Sequence, residues 1–84
     1  MTEYKLIYQW DYHHWTLLYK TNNLKGMHQY IQDREEEMYE VYDESIPRYF
    51  TFVYNVDGET KCWREGAPDE LMDTIEYIMR HPEI

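Results

Sequence analysis

One cysteine, three glycines and three prolines are all that 84 residues contain of these types. Cys62 alone admits neither an intramolecular disulfide nor a multi-cysteine zinc site, which fits a reducing, intracellular environment. So few glycines leave no phosphate-cradling loop, and no serine sits in a nucleophile elbow. No run of about 18 apolar residues occurs, and the opening MTEYKLIYQW lacks the basic-then-apolar order of a signal peptide. A cytoplasmic protein without membrane contact is expected. Basic residues are scarce too: eight against seventeen acids, for a net charge of −9. That balance disfavours direct contact with nucleic acid and favours a basic partner.

Aromatics are plentiful, with ten Tyr, three Trp and two Phe. A single domain over residues 1–84 is expected, and a chain this short buries only a little over ~60% of its unfolded surface, so it needs dense apolar side chains or a partner. Tyrosine adds apolar area but keeps a hydroxyl that wants water or a hydrogen bond, which places many of these rings at the edge of the core.

The chain divides into two similar halves. Tyr4, Leu6, Tyr8 and Trp10 alternate with Lys5, Ile7 and Gln9, the period of a strand with one buried face, and Trp15, Leu17 and Tyr19 continue it after the DYHH turn. Asn22 or Asn23 then caps a helix whose apolar positions are Leu24, Met27, Ile31, Met38 and Tyr42. Pro47 closes it. RYFTFVYNV and TKCWR read as strands joined by the Asp57-Gly58 turn, and Pro68 opens a second helix with Leu71, Ile75 and Ile78 or Met79 buried. The echo of KLIYQWD in TFVYNVD is consistent with a duplication, although any two ββα units share much of this pattern. The expected fold is α+β, ββαββα, with a four-stranded, largely antiparallel sheet and two helices on one face.

The other sheet face is expected to be apolar as well. If even positions of the first strand and odd positions of the second meet the helices, Ile7 and Leu18 point away, joined by Tyr49, Val53 and Trp63. These five make a candidate second interface, through which the chain would dimerise or join a larger assembly.

QDREEEMYEVYDE, residues 32 to 44, carries seven carboxylates and one basic residue, Arg34. On a helix, Asp33, Glu36, Glu37, Glu40 and Glu44 fall within about 100° of one another, opposite the apolar stripe, and Glu35 falls near the apolar side. The stripe rises about 17 Å at ~1.5 Å per residue, giving a charge spacing close to the ~3.4 Å between phosphates of one DNA strand. Many Glu-rich helices are simply solvated on this face. Here, however, the acids repel at i, i+3 and i+4 and extend into the half of the helix where the macrodipole disfavours them. That arrangement points to a positive partner. The candidate contact set is Asp33, Glu36, Glu37, Glu40, Asp43 and Glu44, with Tyr30, Tyr39 and Tyr42 as rigid neighbours.

Catalytic chemistry is not expected. His13 and His14 are adjacent and diverge, so neither they nor Asp11 or His28 form a natural metal set, and the acid run lacks the spacing and glycine of a calcium loop. Cys62 reads as a structural thiol in a strand. Neither a cofactor nor a metal is expected. Size, charge and missing catalytic parts resemble those of phage or mobile-element inhibitors of host defence nucleases, including anti-CRISPR and anti-restriction proteins, and those of nuclease-neutralising immunity proteins. That resemblance implies an acidic, DNA-mimicking module that acts in a host cytoplasm on a basic nuclease or other nucleic-acid-binding protein. The alternative is a non-enzymatic structural or regulatory subunit assembled through the aromatic sheet face.

Overall fold

Asp57 and Gly58 take φ of 52° and 85° and turn β3 (Tyr49–Val56) back into β4 (Glu59–Gly66), as the Asp-Gly pair predicts. The first hairpin, β1 (Thr2–Gln9) and β2 (Trp15–Thr21), closes through a longer turn in which Asp11 accepts the backbone N–H groups of His13 and His14, both at 2.7 Å. Each hairpin leads into a helix, α1 (Leu24–Val41) and α2 (Pro68–Arg80). The computed structural model describes residues 1–82. Its ββαββα order and α+β class are those expected, and the sheet runs β2-β1-β3-β4 with every neighbouring pair antiparallel.

The two halves meet at β1 and β3, where Leu6 lies opposite Phe52. Tyr4 opposite Tyr54 and Phe50 opposite Tyr8 flank that pair on either side, with ring centroids 5.1 Å and 4.9 Å apart. This arrangement approximates a twofold relation between the ββα units, in the same alignment as the KLIYQWD and TFVYNVD echo. Leu6, Phe50 and Phe52 then receive Met27 and Ile31 from α1 and Leu71 and Ile75 from α2, all fully buried. Each such side chain contributes about 1.5–3 kcal/mol of burial. Among the described residues no buried side-chain polar atom lacks a partner.

Local signals set the helix ends. The Asn23 carboxamide oxygen accepts the Gly26 N–H at 3.2 Å, which makes Asn23 the cap. At α2, Pro68 opens the first turn with Asp69 and Glu70, and Arg80 sits in the last turn. Glu70 bonds Arg64 at 2.7 Å and reaches back to the Ala67 N–H at 3.5 Å.

Two expectations need correction. First, α1 ends at Val41, so Asp43 and Glu44 lie outside it. Tyr42 is already extended, and Asp43 accepts both the N–H and the hydroxyl of Ser45 while pairing through its backbone with Arg48. This local side-chain turn competes with the helix and wins before Pro47 is reached. Second, Leu18 does not join Ile7. The β1–β2 register shifts between Leu6 and Ile7: Leu6 faces Tyr19 but Ile7 faces Leu17, with Leu18 as the extra residue. A shift of one residue exchanges the faces, so Leu17 and Trp15 turn to the open side, while Leu18 lies beside Tyr8, Tyr30 and Met38.

Candidate interaction surfaces

α1 has to bury Met27, Ile31 and Met38, which turns Asp33, Glu36, Glu37 and Glu40 outward, all exposed. Among the described residues no Lys, Arg or His lies within ion-pair distance of these four. Asp33 accepts a hydrogen bond from Gln29 at 2.7 Å. Arg34, the one cation in the run, is drawn away: its guanidinium lies 3.8 Å from the centre of the Tyr30 ring and donates to the Tyr30 carbonyl. Glu35 is half-buried, and the helix stays regular through it to Val41. The acids therefore present a continuous, uncompensated face over 33–40, shorter than the 33–44 stripe expected.

The second helix extends that face. Both helices cover the same side of the sheet, and α2 adds Asp69 and Asp73, exposed, and Glu76, half-exposed. The Asp69 N–H donates to the Tyr39 hydroxyl at 3.2 Å, which ties the first turn of α2 to the end of α1. Reading one helix at a time misses this layer of acid. The sequence signal was present in PDELMD, whose first-turn acids serve as dipole partners for α2 and also add to the field of α1.

Of the three tyrosines expected beside the acids, only Tyr39 keeps a substantially exposed ring. Tyr30 stacks on Tyr19 with centroids 4.2 Å apart and carries Arg34 on the same ring, so it is an intramolecular platform. Tyr42 packs against the core and donates its hydroxyl to Glu44. Burial first and the Glu44 carboxylate second raise its phenol well above the ordinary tyrosine range. Glu44 and Asp43 thus brace the loop after α1, with Asp43 held below the ordinary carboxylate range chiefly by its bonds from Ser45.

The open face of the sheet carries a depression of about 390 Å³. Its floor is Ile7, Thr51 and Val53, the latter two buried, and Trp15 and Trp63 flank it from the outer strands. Of the second interface expected from sequence, Ile7, Val53 and Trp63 come together here. Tyr49, paired with Gln9, lies at one end of the same face, and Leu18 is replaced by Leu17 and Trp15. No protein-family model, curated protein or solved structure matches this chain. Its surfaces therefore speak only through their chemistry.

The histidines are dispersed. His14 Nδ1 lies 2.6 Å from Asp11 and its ring stacks on Trp10, while His28 lies across the helices, 3.7 Å from Glu76. Among the described residues no three His, Cys, Asp or Glu side chains converge on a point that would hold a metal ion. Cys62 lies half-buried against the core side of β4, and burial raises its thiol. No helix among the described residues is long and apolar enough to cross a membrane.

The two aspartate turns have a pH signature. The His13 N–H, followed by the ring and N–H of His14, holds Asp11 below its ordinary value, as Ser45 does for Asp43. A carboxyl lowered in the folded state adds stability that is complete above its unfolded pKa and is lost as pH falls through the folded one. The amide resonances of His13, His14 and Ser45 should therefore titrate with midpoints below the ~3.9 of a free aspartate. Midpoints at or above that value would mean that these bonds do not form in solution.

Proposed function

We propose that the protein is a small, non-catalytic inhibitor whose acidic helix layer occupies a basic, nucleic-acid-binding surface on another protein. The anti-defence inhibitors of phages and mobile elements offer the nearest functional parallel, with a host nuclease as the partner. One observation carries the reading: Asp33, Glu36, Glu37 and Glu40 stand exposed on α1 without a cation beside them. Like charges at i+3 and i+4 weaken a helix, and α1 has no acid in its first turn and no base in its last to offset this. A face shaped only for solubility would mix signs. A face that replaces the phosphates of a nucleic acid would not, since its binding energy and its encounter rate both depend on an unbroken negative field. Asp69, Asp73 and Glu76 widen that field on α2.

The direct test is affinity capture from host lysate at low and moderate salt. Wild type is compared with an amide variant carrying Asp33→Asn, Glu36→Gln, Glu37→Gln and Glu40→Gln. The reading expects a basic nucleic-acid-binding protein to be retained by wild type, more weakly as salt rises, and to be lost by the variant. Equal retention by both proteins would overturn it.

A further inference from the structure

We infer that the open face of the sheet is self-complementary and seats a second copy of this chain. Charge is ordered across that face. On β2, Lys20 lies directly opposite Lys5 of β1; Glu3 reaches Lys5 at 3.3 Å, and among the described residues no carboxylate lies within ion-pair distance of Lys20. On β4, at the other edge, Glu65 accepts a hydrogen bond from the Trp63 indole N–H at 2.7 Å, and among the described residues no cation pairs with it. The open face therefore carries Lys20 on one edge and Glu65 on the other, with a tryptophan on each, and the apolar floor of Ile7 and Val53 lies between them.

An isologous contact must match a surface with itself. A twofold axis parallel to the strands and midway between the two facing sheets carries β2 of each copy over β4 of the other. Lys20 then meets the partner's Trp63 and the partner's Glu65, twice over by symmetry, which combines a cation over an indole with an ion pair. Leu17 and Trp15, exposed in one chain, are covered in the same step.

The remaining charge favours this face above others. Two sheets pack ~10 Å apart, which leaves the acidic helix layers on opposite outer surfaces, separated by several Debye lengths of ~8 Å. Contact through the helices would instead press like charges together. Four strands at ~4.8 Å spacing, each of about eight residues at ~3.3 Å, give roughly 500 Å² in plan per copy, or on the order of 1,000 Å² in total. That area lies at the lower end of specific interfaces, in the class of weak, reversible association. Such a dimer presents two acidic layers facing opposite ways. The inference rests on the sheet face alone, independent of what the helices bind.

Sedimentation equilibrium from about 1 to 200 µM covers the range of weak, reversible association. The expected result is a wild type that passes from one chain to two across the range. Lys20→Glu and Glu65→Lys, both at exposed positions, should each weaken association at least about tenfold with unchanged far-UV circular dichroism. The double variant, Lys20→Glu with Glu65→Lys, should restore the ion pair and associate more tightly than either single variant. A wild type that keeps the mass of one chain throughout would overturn the inference. So would a dimer indifferent to either single reversal, or a double variant that associates no more tightly than the single ones.

Discussion

Phe52→Ala is expected to cost about 3–5 kcal/mol, at least about a quarter of the stability available to a domain of this size. Phe52 is 0% exposed, stands opposite Leu6 where the two ββα units meet, and stacks with Tyr4 at 6.1 Å. Its removal opens a cavity under both helices at once, since Met27, Ile31, Leu71 and Ile75 belong to the same cluster. A domain of this size has a total stability of only about 4–12 kcal/mol. Urea unfolding followed by circular dichroism measures the difference. A loss below about 1 kcal/mol would mean that the two halves are held together by something other than this shared centre.

The amide variant of α1 is expected to move stability and binding in opposite directions. Four exposed charge contacts at about 0.2–1 kcal/mol each amount to about 1–4 kcal/mol, so affinity for the captured basic protein should fall roughly 5- to 1,000-fold. The salt dependence of what remains should flatten. The free protein, meanwhile, should become more stable. The pairs Asp33–Glu36, Asp33–Glu37, Glu36–Glu40 and Glu37–Glu40 all stop repelling, for a gain of about 1 kcal/mol, or a rise of about 4–8 °C in melting temperature. Lower thermal stability in the variant would show that these carboxylates stabilise the fold, so that their crowding on α1 would need no binding partner to explain it.

Elements with strong periodicity or strong punctuation were legible from the residues. The alternation of Tyr4, Leu6 and Tyr8, the Asp57-Gly58 turn and the Pro68 start of α2 each rest on a local rule that the tertiary structure obeys. The β2 face was illegible because a bulge is a property of a pair of strands. Nothing in WTLLYKT marks Leu18 as the extra residue until β1 is laid beside it. The end of α1 was half legible: Pro47 gave an outer limit, while the turn formed by Asp43 and Ser45 stopped the helix earlier.

The acid stripe was visible because helical spacing alone puts 33, 36, 37 and 40 together. The roles of the tyrosines were not. Tyr30 had to meet Tyr19 from the neighbouring hairpin, and Tyr39 had to meet α2, 30 residues further along the chain. The joint acidity of the two helices likewise depends on their sharing one side of the sheet.

Competition with nucleic acid tests the account most directly. A labelled DNA or RNA ligand bound to the captured basic protein is titrated with wild type and with the amide variant, and displacement is read by fluorescence anisotropy. Wild type is expected to displace the nucleic acid as it saturates the partner, and the variant only at the higher concentrations its weaker affinity requires. A stable ternary complex in which wild type binds the partner without displacing its nucleic acid would contradict it.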